Sequence, residues 1–213
     1  MVNNNLEQQA KALFTEMFLA NPSSDWTCGT LSDIADITMG QSPSGDSYNE
    51  DGNGTVFYQG RAEFGTRFPT QRLSTTQPKR MAQENDVLMS VRAPVGDLNV
   101  ARENCCIGRG LAAIRSKYNQ QSFVLYTVFS LQPQLDMFNG EGTVFGSINR
   151  DSLNKMPITI PDQDTIARFE SLVAPMDAQI RINHEENMHL ASIRDSLLPR
   201  LMSGELDVSE VDI

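Results

Sequence analysis

The spacing of apolar residues divides the chain into a helical beginning, a middle of short strands and a helical end. In the beginning, apolar side chains recur every three or four residues, which predicts one amphipathic helix that stops at Asn21-Pro22. Its apolar stripe consists of Leu6, Ala10, Leu13, Phe14, Met17 and Phe18. Because about 15 helical residues are only marginally stable alone in water, this stripe requires a partner helix or sheet.

The middle of the chain, about residues 31–116, contains short apolar runs separated by turn residues. The runs TVFYQG, DVLMSV and GLAAI predict strands. The stretch Arg92-Ala-Pro-Val-Gly96 predicts a turn, because proline lacks an amide proton and glycine tolerates a positive φ. Residues 41–54 are dense in Gly, Ser, Asn and Asp and predict a mobile or ligand-ordered loop. Residues 120–138 predict a helix that Pro133 interrupts.

The end of the chain predicts helices after a short strand in MPITIP. Asp162 is suited to cap a first helix with Ile166, Phe169, Leu172 and Val173 on its apolar face. Pro175 predicts a joint at Ala174-Pro175 and a second helix to about Met202, roughly 42 Å long, with Gly204 as its stop. The stripe of this second helix is close to a heptad seam and predicts a helix–helix interface. It consists of Met176, Ile180, Asn183, Asn187, Leu190, Leu197 and Leu201.

These patterns predict an α+β fold with three parts. A short N-terminal helix occupies residues 1–22, a mostly-β domain with mixed sheets occupies residues 23–161, and a long C-terminal coiled-coil helix with a tail occupies residues 162–213. The start of the sequence lacks the basic flank and apolar stretch of a signal peptide, and no apolar run approaches the roughly 18 residues of a membrane span. We therefore expect a cytoplasmic protein without a membrane segment.

The charge distribution changes the picture of possible partners. The net charge of −10 argues at first against nucleic acid, because phosphate binding depends on Lys and Arg. From Val56 to Lys117, however, ten basic and five acidic residues give a local charge of +5, whereas residues 118–213 carry −8. The middle segment could therefore face a polyanion; an unevenly charged solvated surface is the alternative.

No motif in the sequence predicts catalysis, a metal or a cofactor. It lacks a CxxC or HExxH ligand spacing, a GxxxxGK[ST] phosphate loop and a glycine-rich fingerprint for S-adenosylmethionine. His184 and His189 are about 140° apart around a helix, so we expect them to face solvent and not to share a metal. The adjacent Cys105 and Cys106 are predicted to be structural, since no histidine lies near them in sequence.

One basic segment interleaved with aromatic residues remains, VFYQGRAEFGTRFPTQRLSTTQPKR, from Val56 to Arg80. Arginine and glutamine side chains form paired hydrogen bonds with guanine and adenine edges in the major groove. The segment therefore predicts DNA binding, and a polar loop that is basic by chance is the alternative.

Several long stretches resemble the specificity subunits of Type I restriction-modification systems. VFYQGRAEFG, VLMSVRAPVGDLNVARENCCIGRGLAAI and GTVFGSINRDSLNKMPITIP are similar to stretches of the family's target recognition domain. LASIRDSLLPRLMSGELDVSE resembles the terminus of its second conserved helix, and LEQQAKALFTEMF resembles the closing part of the preceding one. These stretches cover nearly the whole chain.

The resemblance implies a non-catalytic subunit that recognises double-stranded DNA and needs no cofactor. Partner modification subunits would methylate adenine, and a restriction subunit would translocate and cleave. The long helix would fix the spacing of two half-sites and dock the modification subunits. Full-length subunits carry two recognition domains, so we expect either a natural half-subunit or a C-terminal half; a half-subunit would self-associate through its C-terminal helix.

Proteins that recognise different DNA sequences share the motif of Ser90–Ile114, so the resemblance assigns it mainly to the framework. Arg92 and Arg109 are expected to contact phosphate or to support a turn. The expected base-reading residues are Gln59, Arg61, Arg67, Gln71, Arg72, Lys79 and Arg80, with a contribution from residues 41–54. Two other classes stay open: an interaction-only protein that occupies modification subunits without reading DNA, and a stand-alone DNA-modifying enzyme.

Overall fold

The computed structural model describes residues 2–140 and 146–205. The first residues of GTVFGSINRDSLNKMPITIP and the tail after Glu205 lie outside the described residues. Helix α1 spans Val2–Phe14 and continues as a π-helical stretch, Thr15–Ala20, which ends at Asn21 as predicted. The predicted α+β arrangement is confirmed: a mostly-β domain lies between this short helix and one long C-terminal helix.

The remaining helices are α2 (Leu31–Ile34), α3 (Gln121–Ser130), α4 (Gln132–Asp136), α5 (Arg150–Asn154) and α6 (Gln163–Met202). The strands are β1 (Thr27–Thr30), β2 (Ala35–Met39), β3 (Tyr48–Asn49), β4 (Thr55–Tyr58), β5 (Leu73–Thr75), β6 (Met81–Ala82), β7 (Val87–Ser90), β8 (Leu98–Val100), β9 (Cys105–Ile107), β10 (Leu111–Ser116) and β11 (Pro157–Ile160). Strands β4, β7, β10 and β11 lie where the apolar runs predict them.

The strands form three sheets in the described ranges. Strands β1 and β11 pair antiparallel where the domain begins and ends. A four-stranded antiparallel sheet has the order β2-β10-β7-β8, and a five-stranded sheet has the order β3-β5-β4-β9-β6. In the five-stranded sheet β4 and β9 are parallel, so both strands end at the same edge. This edge matters for the candidate site.

The main core joins the four-stranded sheet to helices α1, α3 and α6. At its centre the Phe18 ring lies 5.2 Å from the rings of both Phe123 and Phe169, which ties the three helices together. A smaller core lies between the two large sheets and contains Cys105, while Cys106 packs on the opposite face of its strand. Burial raises the pKa of the Cys105 thiol to about 12, so this cysteine is an uncharged core residue.

Helix α6 corrects the prediction of a joint at Ala174-Pro175. It is a single helix of 40 residues, about 60 Å long, with Pro175 and Pro199 inside it. A proline within a helix removes a hydrogen bond and costs about 3 kcal/mol, so local sequence favours a break. Tertiary packing overrides this preference, because Val173 before the proline and Ile180 after it are buried in the main core.

The ends of α6 agree with the sequence. Asp162 caps its first turn, where the carboxylate accepts a hydrogen bond of 2.8 Å from the backbone of Thr165, and this bond lowers the pKa of Asp162. Gly204 follows the last turn with a φ of +74°, as expected for a helix stop. Leu172 is an exception on the predicted apolar face, since it is exposed. None of the described helices is long and apolar enough to cross a membrane.

Candidate nucleic-acid interface

One edge of the five-stranded sheet brings together basic residues that are far apart in sequence. Strands β4 and β9 end at this edge, and β6, which is antiparallel to β9, begins there. Gln59 directly follows β4, Arg109 follows β9 after one glycine, and Lys79 and Arg80 directly precede β6. The sheet topology therefore places these four residues at the same edge.

Glycines allow the backbones at this edge to approach closely. The Gly108 amide donates a hydrogen bond of 2.8 Å to the Tyr58 carbonyl, and a Cβ on Gly108 would lie only 2.6 Å from the carbonyl oxygen of Gln59. A Cβ on Gly40 would lie 2.1 Å from the Gly108 carbonyl oxygen. The Gly108-Arg-Gly110 pair thus acts as a close-packing element that places Arg109 beside Gln59.

The β7–β8 hairpin brings Arg92 to the same place. Ser90 holds the predicted turn, since its hydroxyl donates to the Pro94 carbonyl at 2.6 Å and accepts from the Asp97 amide at 3.0 Å. Gly96 has a φ of +96°, as the turn prediction requires. The amide beside Arg92, that of Val91, donates to the Gly110 carbonyl at 2.9 Å. The framework role expected for Ser90–Ile114 is consistent with these contacts.

These elements enclose a cavity of about 270 Å³, which we call the basic cleft. It is lined by Ser42, Gln59, Gly60, Arg61, Arg92, Ala93, Arg109 and Gly110. The side chains of Gln59, Arg61, Arg92 and Arg109 are exposed. Arg61 forms a salt bridge with Asp97 at the rim, whereas Arg92 and Arg109 form none with any residue in ranges 2–140 and 146–205.

Ser42, which lines the cleft, and Asp97, which pairs with Arg61 at its rim, are residues that the sequence did not single out. Ser42 belongs to the loop of residues 41–54, and its hydroxyl accepts a hydrogen bond of 3.3 Å from the Arg109 amide. The glycine- and serine-rich composition of that loop was the only signal for it. Asp97 follows the glycine of the predicted turn, and its opposite charge was the signal that could have paired it with a basic neighbour.

Gln71 and Arg72 lie away from the basic cleft. They line a separate cavity of about 470 Å³ between the domain and α6, together with Arg102 and His184. Arg72 donates a hydrogen bond of 2.8 Å to the buried carboxylate of Glu63, which also accepts from the Gly60 amide at 3.0 Å. Arg72 is therefore linked to the cleft through Glu63 but does not line it.

His184 corrects a smaller expectation. It was predicted to face solvent, but its ring lies 4.8 Å from the ring of Phe68 and is half-buried. Burial is the first cause that lowers its pKa, followed by the charge of Arg102. His189 is exposed, in agreement with the sequence.

Arg67 corrects the set of expected base-reading residues. It is only 7% exposed and forms salt bridges with Glu7 of α1, at 3.4 Å, and Asp177 of α6, at 2.5 Å. Its backbone carbonyl accepts from the Val100 amide at 2.9 Å. A guanidinium that is buried and paired with carboxylates of two helices cannot reach a base edge, so Arg67 is not part of the candidate interface.

The predicted helix–helix interface divides into two parts. Ile180 is buried, Met176 packs against the main core, and the Asn183 amide donates to Asn3 of α1 at 2.8 Å. Helix α1 thus covers α6 as far as Asn183. The other predicted members, Asn187, Leu190, Leu197 and Leu201, are exposed. The described residues contain no cluster of side chains suited to hold a metal ion.

Comparisons with known proteins identify the family of this chain. Residues 23–190 match the family described as the Type I restriction modification DNA specificity domain. The chain is 36% identical over 174 residues to a putative type I restriction enzyme MjaX specificity subunit of Methanocaldococcus jannaschii, covering 81% of this chain and 41% of that protein. It is 27% identical over 193 residues to the type I restriction enzyme HindI specificity subunit of Haemophilus influenzae, covering 85% of this chain and 42% of that protein.

Solved structures give the same picture. The HsdS subunit from Thermoanaerobacter tengcongensis superposes with a TM-score of 0.65 at 32% identity, covering 96% of this chain and 52% of that one. A chain from a study of complex assembly and conformational transition of the type I R-M system has a TM-score of 0.64 at 33% identity, with coverages of 93% and 52%. This chain spans less than half the length of the curated relatives and about half the length of these solved chains.

The family match and the mostly-β domain on one long helix place this chain among the specificity domains of restriction-modification systems. More narrowly, the chain belongs to the Type I restriction modification DNA specificity domain family. The resemblance in the sequence motifs is thereby confirmed.

Proposed function

We propose that this chain is a non-catalytic, sequence-specific DNA-reading module of a Type I restriction-modification complex. The observation that carries the proposal is the basic cleft, where exposed Gln59, Arg61, Arg92 and Arg109 converge from three segments of the chain. Such a cleft concentrates positive charge on a protein whose net charge is −10, and phosphate attraction depends on that local charge.

The side chains of the cleft differ in the roles that we assign to them. Gln59 and Arg61 have the planar, paired hydrogen-bonding groups that distinguish base edges, so we assign them to sequence reading. Arg92 and Arg109 are held by the framework motif and are assigned to phosphate, where contacts fix register without reading sequence. Lys79 and Arg80 extend the positive edge of the sheet. Gln71 and Arg72 keep a secondary role, since their cavity opens toward α6 instead.

The part of α6 beyond Asn183, which α1 does not cover, is proposed to contact partner proteins. Leu190, Leu197 and Leu198 are 55%, 38% and 51% exposed, and a single helix does not stably present such a stripe to water. We infer that another helix covers it, either from a second copy of this chain or from the longer protein that its relatives represent. Modification subunits, and through them a restriction subunit, would dock on the remaining acidic surface.

The self-association part of the proposal is tested by molar mass in solution. Light scattering at several concentrations should give twice the chain mass, and replacing Leu197 with glutamate should restore the single mass. Asp195→Glu serves as the matched control, because Asp195 is exposed on the same helix and the substitution keeps the negative charge. A single mass for the unmodified chain at all concentrations would contradict self-association and leave DNA reading as a separate question.

DNA reading is tested by selection from a pool of random duplexes. The chain is incubated with the pool, with and without a modification subunit of its own system, and the bound DNA is sequenced. We expect a specific motif to be enriched, at least with the modification subunit present. Arg168→Ala, which removes an exposed arginine on α6 outside the cleft, should leave the motif unchanged. Binding without any enriched motif would instead support an interaction-only protein.

A further inference from the structure

The interface between the domain and α6 contains a polar region beside the main core. A cavity of about 350 Å³ lies between them, lined by side chains that include Arg67, Asp177 and Arg181. Val173 and Ile180 anchor α6 in the main core, but apolar side chains alone do not fill this cavity. Directed polar contacts across it therefore add to core packing in fixing the angle between α6 and the domain.

Asp177 is the acceptor on which one side of this interface converges. Its carboxylate accepts from Arg67 at 2.5 Å, from the Ser122 hydroxyl at 2.7 Å and from the Tyr126 hydroxyl at 2.9 Å. Arg67 also reaches Glu7, which adds α1 to the same network. The loop of Arg67, helix α3, helix α1 and helix α6 are therefore tied together through Arg67 and its two ion pairs.

Arg181 lies one turn after Asp177 on α6. Its side chain extends from the helix into the domain, whereas that of Arg67 extends from the domain to the helix. Its guanidinium donates to the Arg102 carbonyl at 2.8 Å and to the Asn85 side chain at 2.7 Å, and it lies 3.3 Å from the Glu84 carboxylate. Its side chain is only 18% exposed. The hydrogen bonds of a guanidinium that donates to several acceptors at once require a fixed orientation, whereas an apolar contact tolerates small displacements.

Hydrogen bonds to the backbone of residues 60–70 connect the Arg67 contact to the basic cleft. The Asn99 side chain accepts from the Gly65 amide and donates to the Gly65 carbonyl, both at 3.0 Å. The Thr70 amide donates to the Glu63 carbonyl at 2.8 Å, which closes the loop that begins after Gln59 and Gly60. A change in the angle at Arg67 would therefore be carried to the loop that presents Arg61.

We propose that Arg67 and Arg181 are positioning residues that fix the direction in which the basic cleft faces relative to α6. Arg67 belongs to the domain and binds α6, whereas Arg181 belongs to α6 and binds the domain. The inference rests on the proposed function, because the angle matters only if the cleft reads DNA. In a complex with two reading domains, this angle would set the distance between the half-sites that both domains can occupy at once.

The angle can be measured without DNA. Spin labels are attached at Gln77→Cys in the domain and Glu186→Cys on α6, both exposed positions, in a chain carrying Cys28→Ser. Pulsed electron paramagnetic resonance should give one narrow distance distribution. Arg67→Met and Arg181→Lys should each broaden or shift it. Arg194→Met, which removes an exposed arginine that pairs with its neighbour Asp195, should not.

A second readout uses duplexes in which two selected half-sites are separated by spacers of different length. The unmodified protein should prefer one spacer, and the two variants should accept several spacers while selecting the same half-site bases. Arg181→Lys keeps the charge and the aliphatic stem, so it decides the question if Arg67→Met does not fold. Folded variants with unchanged label distances would overturn the positioning role. Absence of any selected motif in the unmodified protein would instead overturn the proposed function.

Discussion

On the face of the domain turned toward α6, Arg67 is enclosed between two carboxylates, whereas at the basic cleft Arg92 and Arg109 extend into solvent. Both faces are built from the same positively charged stretch of sequence. An arginine in that stretch either joins the domain to its helices or remains available for a polyanion, and only the partners that the fold supplies separate the two roles. Local charge therefore identifies the region but not the function of each arginine.

The largest expected effect is the loss of stability on replacing the buried Arg67. Arg67→Met should destabilise the protein by about 2–4 kcal/mol, because it leaves Asp177 mostly buried without its cation, whereas Glu7 keeps its salt bridge with Lys11. Arg109→Met, at an exposed position, should change stability by less than about 0.5 kcal/mol. Urea unfolding followed by circular dichroism measures both. Equal losses for the two variants would contradict the division between the faces.

The next effect concerns DNA binding by the exposed side chains of the basic cleft. Gln59→Ala should relax sequence preference by about 1–3 kcal/mol at the base pair that it reads. Arg109→Ala should instead weaken binding to all duplexes alike and reduce the salt dependence by about one phosphate contact. Fluorescence anisotropy with the selected duplex, single-base variants and several salt concentrations separates the two. A uniform loss for Gln59→Ala would reassign that residue to phosphate binding.

The smallest effect concerns Glu170, which lies in the cavity beside Asp177. Burial is the main cause that raises its pKa to about 7. Its protonated form is favoured by folding, so its contribution to stability is present below the unfolded pKa of about 4.5 and is lost as the pH rises through 7. Glu170→Gln should therefore melt about 2–4 °C higher than the unmodified protein at pH 8, corresponding to ~1 kcal/mol, and nearly the same at pH 5. An equal difference at both pH values would exclude this cause.

Periodicity in the sequence was sufficient for much of the fold. Strands β4, β7 and β10 and the stripe of α1 were predictable because their apolar residues repeat at the spacing of the element that buries them. The short helices α2 and α5, of four and five residues, are too brief to show a period. The continuity of α6 through Pro175 was not predictable, because burial of Val173 and Ile180 decides it and depends on distant helices.

The candidate site was predictable by region and, in part, by residue. Gln59, Arg61, Arg92 and Arg109 were named from the sequence, and the parallel pairing of β4 and β9 brings them together. Arg67 was assigned to the same group because its ion-pair partner Asp177 lies 110 positions away, beyond any local pattern. Exposed and buried arginines have the same appearance in a sequence until the fold assigns their partners.

Site-specific crosslinking tests the central claim most directly. A photoreactive amino acid is placed at Gln59 in one variant and at Arg168 on α6 in another, and each is irradiated with the selected duplex. The account predicts a DNA adduct from the Gln59 position and little or none from the Arg168 position. An adduct from the helix position alone would contradict the claim that the basic cleft is the surface that meets DNA.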